Sequence, residues 1–299
     1  MKDVAVIIVT YNSRRFVRDC ILSVLDRTKG VSFEIIIVDN NSTDNSIEEL
    51  EKEFHEVTFI KNKANLGFGA ANNVGICRSS SKYIFLLNPD TIIQNDAVSL
   101  FYRFMEGKKN FDVWCCGANI IDENYKSSKS YGYFASVEKI LFEQFGFNRI
   151  FKKFFNKKFK TDHNDYNNLP KEVPFIIGAD MFIRREQLDR IGLFDEEFDL
   201  NFEEAELSFR AMKLGYNSVL LPEAKIIHYG GHSFKSSEQQ WFYYRKNEIL
   251  FTKKCFPFVK YSLTYIIYIM GTLFRAVISF NEYDFLLLKY MLGKDKKLR

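Results

Sequence analysis

The chain has 299 residues and a mass of 35.2 kDa, and is 46% hydrophobic and 27% charged. That is the composition of an ordinary globular protein with room for one large domain and an appendage. A mean hydropathy of -0.20 excludes a polytopic membrane protein, 15 Gly and 5 Pro exclude a collagen-like or linker-rich chain, and a net charge of +4 is too mild to imply nucleic acid.

The cysteines, Cys20, Cys77, Cys115, Cys116 and Cys255, are odd in number and never spaced as C-x-x-C. They favour neither a disulfide framework nor a zinc site and suit a reducing compartment. The apolar run Val4–Val9 is shorter than a signal-peptide core and has no small-residue cleavage site after it. It reads as a buried strand, and the expected location is cytosolic.

A helical pattern follows, with Phe16, Cys20, Val24 and Leu25 on one side, and then a second apolar run, Ile35–Val38. The polar turn 39–44 opens another helix through Ile47, Leu50 and Phe54. Val57–Ile60 and Tyr83–Leu87 read as the third and fourth strands. Continuously apolar strands alternating with helices predict an α/β fold with a mainly parallel sheet covered on both faces. In such a sheet the ligand site lies beyond the carboxyl ends of the strands. Those ends carry Thr10-Tyr11-Asn12, Asp39-Asn40-Asn41, Asn62 onward and Asn88-Pro89-Asp90.

Residues 145–160 alternate aromatic and basic side chains, with Phe147, Phe151, Phe154 and Phe159 among Arg149, Lys152, Lys157 and Lys160. On a helix this pattern is either a packed face or a membrane-surface face. Phe175–Ala179 reads as a return strand, Ala205–Leu214 as a helix, and Val219–Leu221 as an apolar run before Pro222. The composition shift near Phe234 divides the chain into a catalytic domain, 1–233, and an aromatic, basic helical extension, 234–299. The uncharged stretch Tyr261–Phe274 is shorter than the roughly 20 residues a membrane span needs. The chain ends in Lys294, Lys296, Lys297 and Arg299.

Several short patterns carry chemistry. The G-x-G-x-x-N at Gly67–Asn72 is a near miss of the dinucleotide fingerprint, but it follows the third strand instead of the first. It reads either as a Gly-rich turn before a helix or as a loop that brings backbone N–H groups to a phosphate or ribose. Pro89 stops the fourth strand and projects Asp90 past the sheet edge, as a ligand for Mg²⁺ or Mn²⁺ or as an Asx-type turn. Glu206 and Arg210 stand at i,i+4 as a helix ion pair. With Asn201 as N-cap, Glu204 would take the third helical position of a capping-box variant, a structural role that competes with a catalytic one.

Taken in order, VIIVTYNS, IIIVDNNSTDNS, NLGFGAANNVG, FLLNPDT, GADMFIRREQLDRIGLFDEEF with NFEEAELSFRAMKLGY, and IIHYGGHS resemble family 2 glycosyltransferases, especially the rhamnosyltransferase-like branch. The resemblance covers about residues 3–250. It implies a GT-A fold and inverting transfer from a nucleoside-diphosphate sugar, UDP- or dTDP-linked, to a glycan or lipid-linked acceptor in cell-surface polysaccharide synthesis. By the same resemblance Thr10, Tyr11 and Asp39 would hold the base, and Asn65 and Gly67 would lie near the ribose or diphosphate. Asp90 would bind the metal, with Asn88 at ribose or metal. His228 would complete the metal site or serve as a structural turn residue. Glu204 matches the second position of the base motif, standing where the family has Asp, and Glu203 beside it and Asp180, in the donor–acceptor strand-end region, would contact the substrate.

In this reading Glu204 accepts the proton of the acceptor hydroxyl, and the metal neutralises charge on the leaving diphosphate. The basic-aromatic segments suggest peripheral attachment to the inner leaflet. The rival readings are a catalytically weak sugar-nucleotide-binding or membrane scaffold protein, motivated by Glu204 and Asn88, and a nucleotidyltransferase.

Overall fold

The run Val4–Val9 has no polar side chain to present to water, so it needs a protein layer on both faces. In the computed structural model, which describes residues 1–151, 153, 154, 156, 169–230, 237–279 and 281–293, it has both. The chain divides into two compact units. One comprises Met1–Gly132, His163–Glu196 and Glu203–Gly230, and the other Tyr133–Asp162, Glu197–Phe202 and Gly231–Arg299.

The first unit is built on strands β1 (Val4–Thr10), β2 (Phe33–Asp39), β3 (Thr58–Lys61), β4 (Tyr83–Leu87), β5 (Thr91–Ile93), β6 (Val113–Ile121), β8 (Lys171–Val173), β10 (Asp180–Arg184) and β11 (Asn217–His228), with the short β7 (Tyr131–Gly132) and β9 (Phe175–Ile176) pairing separately. The main sheet runs β3-β2-β1-β4-β10-β6-β11-β5, with β8 on β11. Strands β3, β2, β1 and β4 are parallel, β10 is antiparallel to both its neighbours, and β11 is parallel to β6.

One face is closed by α1 (Arg14–Arg27), α2 (Ser46–Glu53) and α4 (Ala97–Glu106), whose apolar residues recur at helical spacing: Val17, Cys20, Ile21 and Val24 on α1, and Ala97, Phe101 and Met105 on α4. Phe101 stacks on Phe182 at 5.3 Å between ring centroids, and Phe85 lies 5.6 Å from Phe101. The other face receives α3 (Phe68–Arg78), which approaches through Gly75. A Cβ there would lie 2.5 Å from Ile7 Cγ2 and 3.2 Å from Val38 Cγ2.

Four expectations meet a different local structure. The strand that returns to the main sheet is Asp180–Arg184, while only Phe175–Ile176 of the expected segment is extended, in the small sheet with β7. Polar residues at both ends of Met181-Phe182-Ile183 hide that strand's apolar core from a pattern search. Strand β11 continues through Pro222 because a register break between Leu221 and Lys225 removes the need for the missing N–H. The helix expected from Ala205 is α8 (Glu203–Lys213), preceded by α7 (Arg185–Ile191). It starts later than an Asn201 cap requires: Asn201 and Phe202 have φ of 74° and 72°, and Glu204 is the second helical residue instead of the third.

The second unit contains α5 (Val137–Gln144), α6 (Phe147–Ile150), α9 (Ser237–Cys255), α10 (Phe258–Ser279) and α11 (Glu282–Met291). Helix α10 takes in Lys260 and Arg275, which bound the uncharged stretch, and so reaches 22 residues. Among the described residues, Phe258–Ile278 is the one segment long and apolar enough to cross a membrane by length and composition, and 33% of it is buried. Gly271 lets α10 close on α5, since a Cβ would meet that of Gln144 at 2.7 Å. Charged side chains lie inside this unit. Arg245 pairs with Glu143 at 2.9 Å and with Glu248, and Arg275 reaches Asp284 at 3.1 Å and Gln144 Oε1 at 2.7 Å. Lys152, Phe155, residues 157–168, Phe234 and residues 294–299 lie outside the described residues, and with them much of the basic-aromatic segment and the basic chain end.

Asp180 is wholly buried in β10, and its carboxyl accepts the Ala118 N–H where β10 and β6 diverge. Burial pushes its pKa well above the ordinary carboxylate value, which one N–H bond only partly offsets. A raised carboxyl contributes stability that is complete below its unfolded pKa and is lost as pH rises through the folded pKa. Asp180→Asn keeps an acceptor for Ala118 and removes the titration. Its stability relative to wild type should therefore improve between about pH 5 and about pH 8, with a slope of up to about 1.4 kcal/mol per pH unit. Urea titrations at both pH values test this, and parallel pH dependence would contradict it. Gly75→Val should cost about 1–3 kcal/mol through collision with Ile7, seen as a lower denaturant midpoint at unchanged slope.

Candidate active site

Three parallel strands end in polar residues at one edge of the sheet. Thr10 and Asp39 are direct neighbours in register at the ends of β1 and β2, and Asn88 follows β4. The Thr10 hydroxyl is buried with no hydrogen-bond partner among the described residues. One Asp39 oxygen accepts the Ser42 N–H at 3.1 Å, and its Oδ2 takes no bond among the described residues. Asn12, in the left-handed region at φ 51°, ties the two loops together by receiving Thr43 N–H at 2.8 Å and donating its own N–H to Ser42 Oγ at 2.9 Å. Tyr11, at the tip of the first loop, is 50% exposed and available to a ligand.

The next loop is organised by a residue of the polar turn 39–44. Asn40, 3% exposed, donates through Nδ2 to Asn65 Oδ1 at 2.8 Å and to the Gly67 carbonyl at 3.3 Å. Its Oδ1 receives Asn62 Nδ2 at 3.1 Å and the Leu66 N–H at 3.0 Å. Asn65 in turn receives the Gly67 N–H at 3.0 Å. The sequence shows Asn40 only as one of several Asn residues at two successive strand ends, which does not single it out. Gly67, at φ 85°, then starts α3.

This start of α3 lies against the two other chain segments that carry candidate residues. A Cβ on Gly69 would be 3.1 Å from Phe194 Cβ and 3.7 Å from Glu203 Cβ, and one on Gly178 would be 3.1 Å from the Phe68 ring. Asn88 N–H donates to the Ala179 carbonyl at 3.0 Å, which binds the Asn88-Pro89-Asp90 turn to the start of β10. Asp180 is brought to the same neighbourhood but has no solvent-exposed surface.

Asp90 meets the end of β11. Its Oδ1 lies 3.3 Å from His228 Nε2, and its Oδ2 accepts the Gly230 N–H at 3.1 Å. Burial alone would raise the Asp90 pKa. The His228 hydrogen bond and charge, with backbone N–H groups including that of Gly230, bring it below the usual carboxylate value. The carboxylate is therefore held ionised, and one carboxylate beside one imidazole suits a divalent ion of the Mg²⁺ or Mn²⁺ type that takes its remaining ligands from a diphosphate. Among the described residues no group of three or more His, Cys, Asp and Glu side chains comes together as a metal cage.

At the opening of α8, Glu203 is 3% exposed, whereas Glu204 retains some exposure. Burial raises the Glu204 pKa above its ordinary value, against the lowering effect of its own, Ala205 and Gly178 backbone N–H groups and of the charge on Lys129. A carboxylate of weakened acidity is a better proton acceptor. Glu206 has a structural task. It forms a two-pronged pair with Arg210, at 2.8 and 2.9 Å, while Arg210 also donates to the Ile191 and Leu193 carbonyls at 2.6 Å. That anchors α8 to the turn before it.

Comparison with known proteins bears on the family and the fold. The model of the family described as glycosyl transferase family 2 matches residues 5–192. An uncharacterized glycosyltransferase of Methanocaldococcus jannaschii is 29% identical over 215 residues, covering 69% of this chain and 70% of that one. The minor teichoic acid biosynthesis protein GgaA of Bacillus subtilis is 26% identical over 294 residues, or 95% of this chain and 56% of its own length. Among solved structures, GalNAc-T7 with UDP, GalNAc and Mn²⁺ superposes with a TM-score of 0.61 at 16% identity, over 85% of this chain and 48% of that one. The chain thus spans about half the length of these last two proteins. The central, mostly parallel sheet with flanking helices is the GT-A fold of such glycosyltransferase structures, followed here by C-terminal helices. With a match over most of the sheet unit, this chain belongs to glycosyl transferase family 2.

Proposed function

We propose that this protein is an inverting, metal-dependent glycosyltransferase that moves a sugar from a UDP- or dTDP-linked donor onto a hydroxyl of a glycan or lipid-linked acceptor, in the synthesis of a surface polysaccharide. The observation that carries this reading is the division of labour among carboxylates of one sheet unit: Asp90 held ionised beside His228, and Glu204 made more basic. The occurrence of UDP and Mn²⁺ in a protein of the same fold supports the donor class and the metal.

Asp39 Oδ2 accepts a pyrimidine N–H, Thr10 supports Asp39 from the neighbouring strand end, and Tyr11 packs on the base. Asn65 and Gly67, immobilised by Asn40, border the ribose and diphosphate, with Asn88 at the ribose. A Mg²⁺ or Mn²⁺ ion held by Asp90 and His228 would neutralise the charge that accumulates on the diphosphate leaving group. Glu204 takes the proton from the acceptor hydroxyl as that oxygen attacks the anomeric carbon opposite the leaving group, and so the configuration inverts. Glu203 lies against Gly69 and keeps the start of α8 beside the donor loop.

Ligand that binds only the folded state raises its melting temperature. UDP or dTDP with Mn²⁺ should therefore raise the melting temperature of the protein, and EDTA or Asp90→Asn should remove most of the shift. Absence of a shift with every nucleoside diphosphate would contradict the donor assignment. Glu204→Gln should keep the donor-induced shift and lose turnover by roughly 10²–10⁴-fold. The wild-type rate should rise with pH through a group titrating above the ordinary carboxylate range, because the base acts deprotonated, and this limb should vanish in Glu204→Gln. Equal turnover in the variant would remove Glu204 from the role.

A further inference from the structure

Helix α10 has two unlike sides. Facing inward are Thr264, Tyr268 and Thr272, all fully buried, and Ala276, together with Arg275 in its bond to Asp284. Facing outward is an apolar stripe at alternating four- and three-residue steps: Val259, Leu263, Ile266, Met270, Leu273 and Val277, each about half exposed or more. The stripe runs about 27 Å along the helix. The α5–α6 segment of the same unit meets α10 through Phe145 and Phe274, 6.2 Å apart, and Ile150, Phe151 and Phe154, at the end of α6 and just after it, are exposed as well. So much apolar surface marks a binding face.

Charge identifies its partner. The segments of the helical unit carry 19 Lys and Arg against 10 Asp and Glu, a net +9, whereas those of the sheet unit carry 23 against 28, a net −5. The chain's mild +4 thus conceals a basic unit, most of whose excess charge is contributed by sequence outside the described residues, and that unit bears the apolar stripe. We propose that the outward face of α10, with the exposed aromatic residues that follow α6, binds the surface of an anionic lipid bilayer, with α10 lying in the interfacial plane. Apolar side chains enter the headgroup–acyl boundary and the basic side chains of the unit attract the acidic headgroups.

Two other occupants of the face are less compatible with the side chains. A membrane-crossing α10 would place hydrocarbon against Thr264, Thr272 and the Arg275–Asp284 pair, or break their packing. A second copy of the chain would bring two units of +9 together, and like charge opposes that association. The proposal does not depend on the transfer reaction.

The test is flotation of the full-length protein with phosphatidylcholine vesicles and with vesicles that also contain phosphatidylglycerol, at low and high salt. Wild type should float with the anionic vesicles, much less with the neutral ones, and less at high salt. The triple variant Ile266→Gln, Met270→Gln, Leu273→Gln replaces exposed residues with a good helix former. It should bind roughly tenfold more weakly or worse with an unchanged helical circular dichroism signal. Failure of the wild type to bind anionic vesicles, or equal binding by the triple variant, would overturn the proposal. Sedimentation equilibrium showing a dimer that the triple variant dissociates, with neither protein floating, would assign the face to a second copy. Bound protein that resists alkaline carbonate extraction would assign α10 to a crossing.

Discussion

The candidate donor site depends on one buried primary amide. A side-chain amide can offer two N–H bonds and accept two, and Asn40 makes all four within the loop that leads into α3. Because the amide is buried, each unmade bond would leave a desolvated polar atom, so the loop has a strong preference for one conformation. That conformation delivers the start of α3 to the start of α8 and to Gly178, where only a hydrogen atom separates backbone from the neighbouring side chain. The position of Glu204 is thus coupled, through packed backbone, to an asparagine at the end of another strand.

The same unit shows how environment differentiates chemically similar groups. Three carboxyls lie near the strand ends. Asp90 has an imidazole and a backbone N–H and stays ionised, while Glu204 is balanced between burial and helix-terminal N–H groups. Asp180 has one N–H bond within an apolar sheet, and burial sets its pKa well above the ordinary carboxylate value. Burial pushes all three upward, and the partners each meets decide the outcome. For Asp180 the outcome favours a part in the sheet, where its carboxyl stands in for the ladder carbonyl lost as β10 and β6 separate.

Much of this was legible in the sequence, because strand and turn signals are local. Val4–Val9, Ile35–Val38 and Tyr83–Leu87 are runs that only a doubly covered sheet can accommodate, and their polar ends marked the edge where ligands bind in such sheets. Asn40 was not legible as an organiser, since its bonds join residues 22 to 27 positions away and any turn tolerates asparagine. The cap expected at Asn201 failed because two successive residues in left-handed conformation delay the helix, and positive φ at Phe202 has no signature in a side chain of that type. Helix α10 was underestimated for another reason. Its terminal charges are those of a helix that continues, with Arg275 satisfied by Asp284 beyond the helix end.

The register break in β11 has a geometric consequence. Leu221 stands beside Ala118 and Lys225 beside Asn119, so β11 inserts three residues where its partner inserts none. Along a strand, side chains alternate between faces, and an odd excess reverses that alternation for everything downstream. Without the interruption at Pro222 the apolar order of Ile226 and Ile227 would be transposed, and the imidazole of His228 would emerge on the wrong side of the sheet, away from Asp90. An irregularity that looks like damage to a long strand therefore sets the parity of the residues beyond it. An insertion or deletion of one residue between Leu221 and Lys225 would be felt less as a loop change than as a reflection of the strand's end.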